Sequence, residues 1–253
     1  MQPRERLIFP LDVPNRPEAE RLISLLKDHV GLFKVGLELF VAEGPDFLDF
    51  MTGTARADYF LDLKFHDIPA TVRSALARIR PGARLATVHV DTGRERLQAG
   101  AEARGNGVKL LGVTVLTHLK PDDLEAMGIA REYARDLSRL VLLRAGIARA
   151  AGCDGVVCAG TEVQAVKEAF GPEFLVVCPG IRPAWAAVPG DDQRRVMTPY
   201  EAIMAGADYI VVGRPIRLAE DPVDAARKVV AEIEQGWRDR SGPPSEAGES
   251  PRK

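Results

Sequence analysis

Three charged residues with the spacing of a proton-transfer site sit inside Asp62-Leu63-Lys64-Phe65-His66-Asp67-Ile68-Pro69, directly after the apolar run Tyr59-Phe60-Leu61. Asp62 and Lys64 are two residues apart at the end of a predicted strand, so both point to one face. Burial alone favours a neutral amine, whereas carboxylates within a few ångströms favour the ammonium. Lys64 therefore reads as a charged, positioned proton donor rather than a Schiff-base nucleophile. The plain alternative is an ion-pair cluster at a strand end. Three interleaved charges beside an apolar strand are costly to bury without a use, which favours the functional reading. Lys34, isolated within Gly31-Leu32-Phe33-Lys34-Val35-Gly36, adds a second ammonium. The group Lys34, Asp62, Lys64 and Asp67 is then a partly self-neutralising array suited to a reaction through a carbanion.

Such an array needs elements that bring separate strands to one rim. Short apolar runs alternate with helical patterns at a spacing of roughly 25 to 35 residues, the mark of repeated βα units. The predicted strands are 7–12, 32–37, 58–63, 85–90, 109–115, 154–158, 174–178 and 209–213. Helical patterns follow at 17–29, 43–51, 69–79, 93–104, 121–151 with a break near Gly128, 161–169, 198–205 and 222–235. Pro69 opens the third of these at its first turn. Eight such units describe an α/β chain folded as a single-domain (β/α)8 TIM barrel over residues 1–237. A doubly wound open sheet is the runner-up, disfavoured because Asp12-Val13-Pro14 stands where a GxGxxG would follow the first strand. Residues 238–253 are rich in Pro, Gly, Ser and charge without apolar periodicity and are expected to be a disordered tail. The polar segment 182–197 is too long for an ordinary barrel turn and reads as a lid.

In a barrel of this kind the carboxyl ends of the strands build the site. Strand parity places Lys34 with Leu32 and Gly36, and Asp62 and Lys64 with Phe60, opposite the residues that pack on helices. Asp12 ends the first strand, His89 the fourth, and Thr117 follows the fifth. For an anion, Gly213-Arg214-Pro215 after the last strand offers close backbone approach, a short helix start and a fork of donors. Arg182, in Cys178-Pro179-Gly180-Ile181-Arg182, and Gln193 on the long loop are placed to close over the same group, which makes a phosphate grip.

Bulk properties bound the partners. A net charge of -2 and 28% charged residues leave no basic footprint for nucleic acid. No run approaches the ~18 apolar residues of a membrane span, and the polar amino terminus leads directly into a strand. The three cysteines form no metal or CxxC spacing and read as reduced core thiols of a cytoplasmic protein.

Together, Asp62-Leu63-Lys64-Phe65-His66-Asp67-Ile68-Pro69, Lys34-Val35-Gly36, Leu11-Asp12-Val13, Pro179-Gly180-Ile181-Arg182-Pro183 with the following Asp191-Asp192-Gln193-Arg194-Arg195, and Val212-Gly213-Arg214-Pro215-Ile216 resemble the orotidine 5′-phosphate decarboxylase family over about residues 5 to 236. The resemblance implies cofactor-independent decarboxylation of orotidine monophosphate to UMP, with Lys64 protonating C6 and Asp62 against the substrate carboxylate. It implies that Lys34 bonds the ribose and Asp62, Asp12 a ribose hydroxyl, and Thr117 the pyrimidine edge. Arg182, Gln193, Gly213 and Arg214 would hold the phosphate. Asp67 and Thr71 would enter the neighbouring subunit's site, so that a homodimer completes both. The chain departs from the commoner pattern at His89-Val90-Asp91-Thr92-Gly93 and at Leu116-Thr117-His118-Leu119, and His66, His89, Asp91 and His118 receive no role. Two alternatives stand beside this reading. One is a related sugar-phosphate enzyme that stabilises an enediolate with Mg²⁺, disfavoured because Lys34 occupies the place of an acidic metal ligand. The other is a binding module that retains the phosphate grip without the chemistry.

Overall fold

The computed structural model describes residues 1–105, 107–186 and 196–242. Eight strands, β1 Leu7–Pro10, β2 Leu32–Gly36, β3 Tyr59–Phe65, β4 Ala83–His89, β5 Lys109–Val113, β6 Gly155–Val157, β7 Leu175–Cys178 and β8 Tyr209–Val211, pair in sequence order. Each neighbouring pair is parallel, and β8 returns to β1 through Leu7↔Ile210 and Ile8↔Val211. Closure excludes the open doubly wound sheet and leaves a (β/α)8 barrel. The helices are α1 Arg16–Leu26, α2 Leu37–Glu43, α3 Asp46–Gly53, α4 Pro69–Leu76, α5 Arg94–Ala103, α6 Pro121–Ala126, α7 Arg131–Ala134, α8 Leu137–Ala150, α9 Val163–Phe170, α10 Pro199–Ala205, α11 Arg214–Arg217 and α12 Pro222–Ser241.

Several boundaries differ from the sequence reading for local reasons. The helical pattern at 121–151 is three helices. Gly128, with φ of 83°, breaks the run after α6, and the Asp136 side chain starts α8 by accepting from the Arg139 amide at 3.0 Å. The helix expected at 43–51 is preceded by a separate turn of helix, α2, and Gly44 with φ of 68° and Pro45 separate it from α3. The largest correction concerns the tail. Residues 238–241, expected to be disordered, continue α12 to Ser241. Arg238 pairs with Glu234 one turn back, Gln235 donates to Asp239 at 3.0 Å, and Arg240 donates to the Ile203 carbonyl at 3.5 Å. Those contacts lie along one helix or across to α10, and a compositional reading of the segment does not see them. Gly242, with φ of 73°, ends the helix. Residues 243–253 and most of the expected lid, including Gln193, lie outside the described residues. The ends of that segment meet in a bridge, with the Arg182 amide donating to the Met197 carbonyl at 2.9 Å.

Two buried clusters follow from strand alternation. Ile8, Leu32, Phe60, Leu85, Leu111, Val177 and Val211 fill the barrel interior. Phe9, Phe33, Val35, Leu61, Leu110 and Val176 belong to the outer cluster that packs under the helices. Lys34 and Asp62 each lie two residues past an interior residue, Leu32 and Phe60, so they stand above the apolar plug at the carboxyl-end mouth. The strands pack closely enough to need glycine at points. A Cβ on Gly155 of β6 would lie 2.2 Å from the Leu175 carbonyl oxygen of β7. Gly155→Ala should therefore destabilise the barrel by about 1–3 kcal/mol, or prevent folding, as read from denaturant midpoints; an unchanged midpoint would contradict this packing.

Candidate active site

β1, β2 and β3 end side by side and bring four charged side chains into contact. Lys34 Nζ donates to Asp12 Oδ1 at 2.9 Å and lies 3.7 Å from Asp62 Oδ2. Lys64 Nζ donates to the same Asp62 oxygen at 2.8 Å. Thr87 Oγ1, from β4, donates to Asp62 Oδ1 at 2.9 Å. The Asp62 carboxylate is thus buried and satisfied on both oxygens. Burial on its own would raise its pKa, but the Lys34 and Lys64 charges, with the hydrogen bonds from Lys64 and Thr87, hold it below the usual carboxylate range.

Within one chain the network is Asp12–Lys34–Asp62–Lys64, and Asp67, expected beside the lysines and also in the neighbouring subunit's site, does not join it. Asp67 is exposed, and within the chain its Oδ1 accepts from the Ile68 amide at 2.6 Å rather than joining the lysines. The turn from β3 into α4 carries it away from the mouth. Thr71, in the first turn of α4, is exposed on the same side. Asp12 takes the fourth place because β1 pairs with β2 in the register Pro10↔Lys34, a nonlocal relation.

Lys64 reaches the mouth through an irregular ladder. Between the pairs Leu61↔Ala86 and Phe65↔Val88 three residues of β3, Asp62 to Lys64, stand opposite one residue of β4, Thr87. Lys64 has φ of 50°, a left-handed conformation uncommon outside glycine. The Thr87 hydroxyl accepts from the Lys64 amide at 2.9 Å. A Cβ on Gly36 would lie 2.9 Å from Lys34 Nζ and 3.1 Å from Asp12 Oδ1, so a larger residue there would shift the ends of these two side chains.

These groups line one side of a cavity of about 560 Å³ at the strand ends. Thr117 and His118 line it from the loop after β5, and Arg182, Gly213, Arg214 and Arg217 line it from the ends of β7 and β8. The volume suits a small ligand. Three arginines opposite two lysines make the cavity cationic, apt for an anion with a phosphate at the far end. Gly213 lies under Pro10 so closely that a Cβ would fall 2.7 Å from its Cγ. Thr87 and Arg217 were missed in the sequence; only Arg217, three residues past Arg214, carries a local signal.

Among the described residues, one group has the makings of a metal site: His66, His89 and Asp91. Asp91 Oδ1 lies 3.8 Å from His89 Nδ1 and 4.0 Å from His66 Nδ1, while Asp91 Oδ2 lies 4.0 Å from Arg144. The imidazoles pack with ring centroids 5.3 Å apart. Burial, with the His66, Lys64 and Arg144 charges, lowers the His89 pKa against the opposing pull of Asp91. The fixed cations Arg144 and Lys64 beside this group weigh against a divalent ion there. The cavity itself carries lysine at 34, which repels one as well.

The fold and site define a class: a (β/α)8 barrel with a cationic cavity beside a lysine and aspartate network at its carboxyl-end mouth. The chain belongs to the orotidine 5′-phosphate decarboxylase / HUMPS family, whose model matches residues 5–229. It is 48% identical over 238 residues to the orotidine 5′-phosphate decarboxylase of Desulfosudis oleivorans, covering 93% of this chain and 96% of that one. The Moorella thermoacetica orotidine 5′-phosphate decarboxylase is 46% identical, covering 92% and 94%. Among solved structures, orotidine 5′-phosphate decarboxylase from Lactobacillus acidophilus superposes with a TM-score of 0.76 at 36% identity, covering 90% of this chain and 98% of that one.

The depressed pKa of Asp62 has a measurable sign. A carboxyl whose folded pKa is lowered contributes stability above its unfolded value, about 3.9, and loses it as pH falls through the folded value. The stability of the wild type relative to Asp62→Asn should be greatest near neutrality and shrink as pH falls below about 4. A difference that stays constant from neutral pH down to pH about 2 would refute the ion pairing.

Proposed function

We propose that this chain decarboxylates orotidine 5′-monophosphate to UMP in pyrimidine biosynthesis, without metal or coenzyme. The observation that carries the proposal is the Lys64 donor held at 2.8 Å by buried Asp62 inside a cavity whose far side is arginine-lined. The names and near-complete coverage of the relatives support the same substrate. Of the two branches in the family's description, Lys34 favours the decarboxylase, because an ammonium hydrogen-bonded to Asp12 occupies the position where a metal-dependent relative needs an acidic ligand. A binding module has no use for a lysine between two carboxylates.

In this mechanism the bond from C6 to the carboxylate breaks with its electron pair left on C6, and CO2 departs. The resulting carbanion is orthogonal to the ring π system and has no coenzyme sink, so it must be stabilised electrostatically. Lys64 lies where the charge forms and transfers its proton to C6, after which solvent reprotonates the amine. The buried Asp62 carboxylate repels the substrate carboxylate, and that repulsion is relieved as CO2 leaves. Lys34 orients Asp62 and a ribose hydroxyl, Asp12 a second hydroxyl, and Thr117 the pyrimidine edge. Arg182, Gly213 and Arg214 hold the phosphate, together with Gln193 from outside the described residues, and binding energy from that remote group is spent at the reacting centre.

The same proposal includes a homodimer with shared sites. Ile68, 62% exposed, stands between exposed Asp67 and Thr71, and Leu37 and Val41, 57% and 80% exposed, project from α2. Apolar side chains of this size beside unused polar groups suit a subunit interface that delivers Asp67 and Thr71 to the partner's cavity. A cytoplasmic setting fits three buried cysteines that form no disulfide, with burial pushing the Cys153 thiol up to about 12.

Lys64→Ala should reduce turnover by more than about a thousandfold while UMP affinity is largely retained, and EDTA should leave wild-type turnover unchanged. Appreciable activity in Lys64→Ala removes that residue from its role, and loss with EDTA favours the metal-dependent branch. Mixing inactive Lys64→Ala and Asp67→Ala chains should recover about a quarter of wild-type activity, since half the dimers are mixed and each has one intact site. No recovery refutes the shared site.

A further inference from the structure

Thr87 is fully buried and is not among the residues lining the cavity, yet it touches two members of the charged network at once. Its hydroxyl has one proton and two lone pairs. Asp62, as a carboxylate, can only accept, so the proton goes to Asp62 Oδ1, and the lone pairs face the Lys64 amide. Both bonds are 2.9 Å. We infer that Thr87 is a positioning residue for the decarboxylation proposed above: one hydroxyl closes the β3 irregularity and fixes the separation of the Asp62 carboxylate from the Lys64 backbone.

Three facts converge on this role. First, Thr87 is the single β4 residue opposite Asp62, Leu63 and Lys64, so no other side chain stands in register with the wide part of the ladder. Second, the Lys64 backbone is left-handed, a conformation that persists only where its surroundings impose it. The bond to Thr87 supplies an amide partner that the displaced ladder does not. Third, the lysines hold only one Asp62 oxygen, Oδ2, at 2.8 and 3.7 Å. Without the bond to Oδ1 the carboxylate can turn about its own axis toward the ammonium groups. The carboxylate plane and the lysine stem would then both be free to move relative to C6. Catalysis by fixed charge is sensitive to displacements of this size, whereas binding through the phosphate at the other side of the cavity is not.

The inference rests on the decarboxylase reading, and wild-type turnover of orotidine monophosphate tests that reading separately. With wild-type activity in hand, Thr87→Val, which keeps the shape and removes both hydrogen bonds, should lower kcat by about ten- to a hundredfold with KM and UMP affinity within about threefold. Thr87→Ser, which keeps the hydroxyl, should stay within about threefold of wild type in kcat. A role confined to packing would spare Thr87→Val, which keeps the shape, fall instead on Thr87→Ser, which loses the methyl group, and would not separate kcat from KM. Should Thr87→Val fail to fold, Thr87→Cys, with a weaker donor and acceptor, is measured in its place and must fall at least about tenfold below Thr87→Ser. Wild-type kcat in Thr87→Val or, where that variant does not fold, in Thr87→Cys, or equal losses in Ser and Val, overturns the inference. An inactive wild type instead overturns the decarboxylase reading.

Discussion

Everything at the mouth of this barrel depends on one carboxylate kept ionised out of water. Asp62 is 8% exposed, and a lone anion there would be expelled or neutralised. Two ammonium groups and a hydroxyl hold it instead, so that its cost of burial is offset by partners which are themselves positioned by it. Removing any one member leaves a buried charge without its counterpart, which is why such networks are poor sources of stability but effective at fixing geometry.

The barrel supplies the conditions for that network. Interior side chains plug the barrel below it, so the charges are screened from water on one side and open to the cavity on the other. Parallel strands bring Asp12, Lys34 and Asp62 from three consecutive βα units to one level. The arginines come from the other side of the ring, near the ends of β7 and β8. A ligand that bridges the two sides is held by its anionic end while its reactive end meets the lysines, a division between binding and chemistry suited to spending remote binding energy at the reacting centre.

The local irregularity in β3 connects fold and chemistry. A regular strand would keep Lys64 in the ladder with Asp62 above Phe60. The extra residues opposite Thr87 lift Lys64 out of register and curve its side chain back onto Asp62. Backbone strain at φ of 50° is stored where the charges must be most accurately placed.

Much of this was legible in the residues themselves. A side-chain period of two is a local property, so the shared face of Phe60, Asp62 and Lys64, and of Leu32 and Lys34, followed from spacing alone; repetition of βα units indicated the barrel, and Arg182, Gly213 and Arg214 followed from their places after the last strands. Pairing across strands is not local. The entry of Asp12 into the network, the Thr87 bridge and the closeness of Gly36 to Lys34 and Asp12 depend on register between segments 22 to 25 residues apart. The extension of α12 to Ser241 likewise depends on contacts with α10 that composition does not encode. Sequence determined which groups carry charge and which face they take; only the closed barrel decided which of them meet, because hydrogen-bond register and burial arise when distant strands are brought side by side.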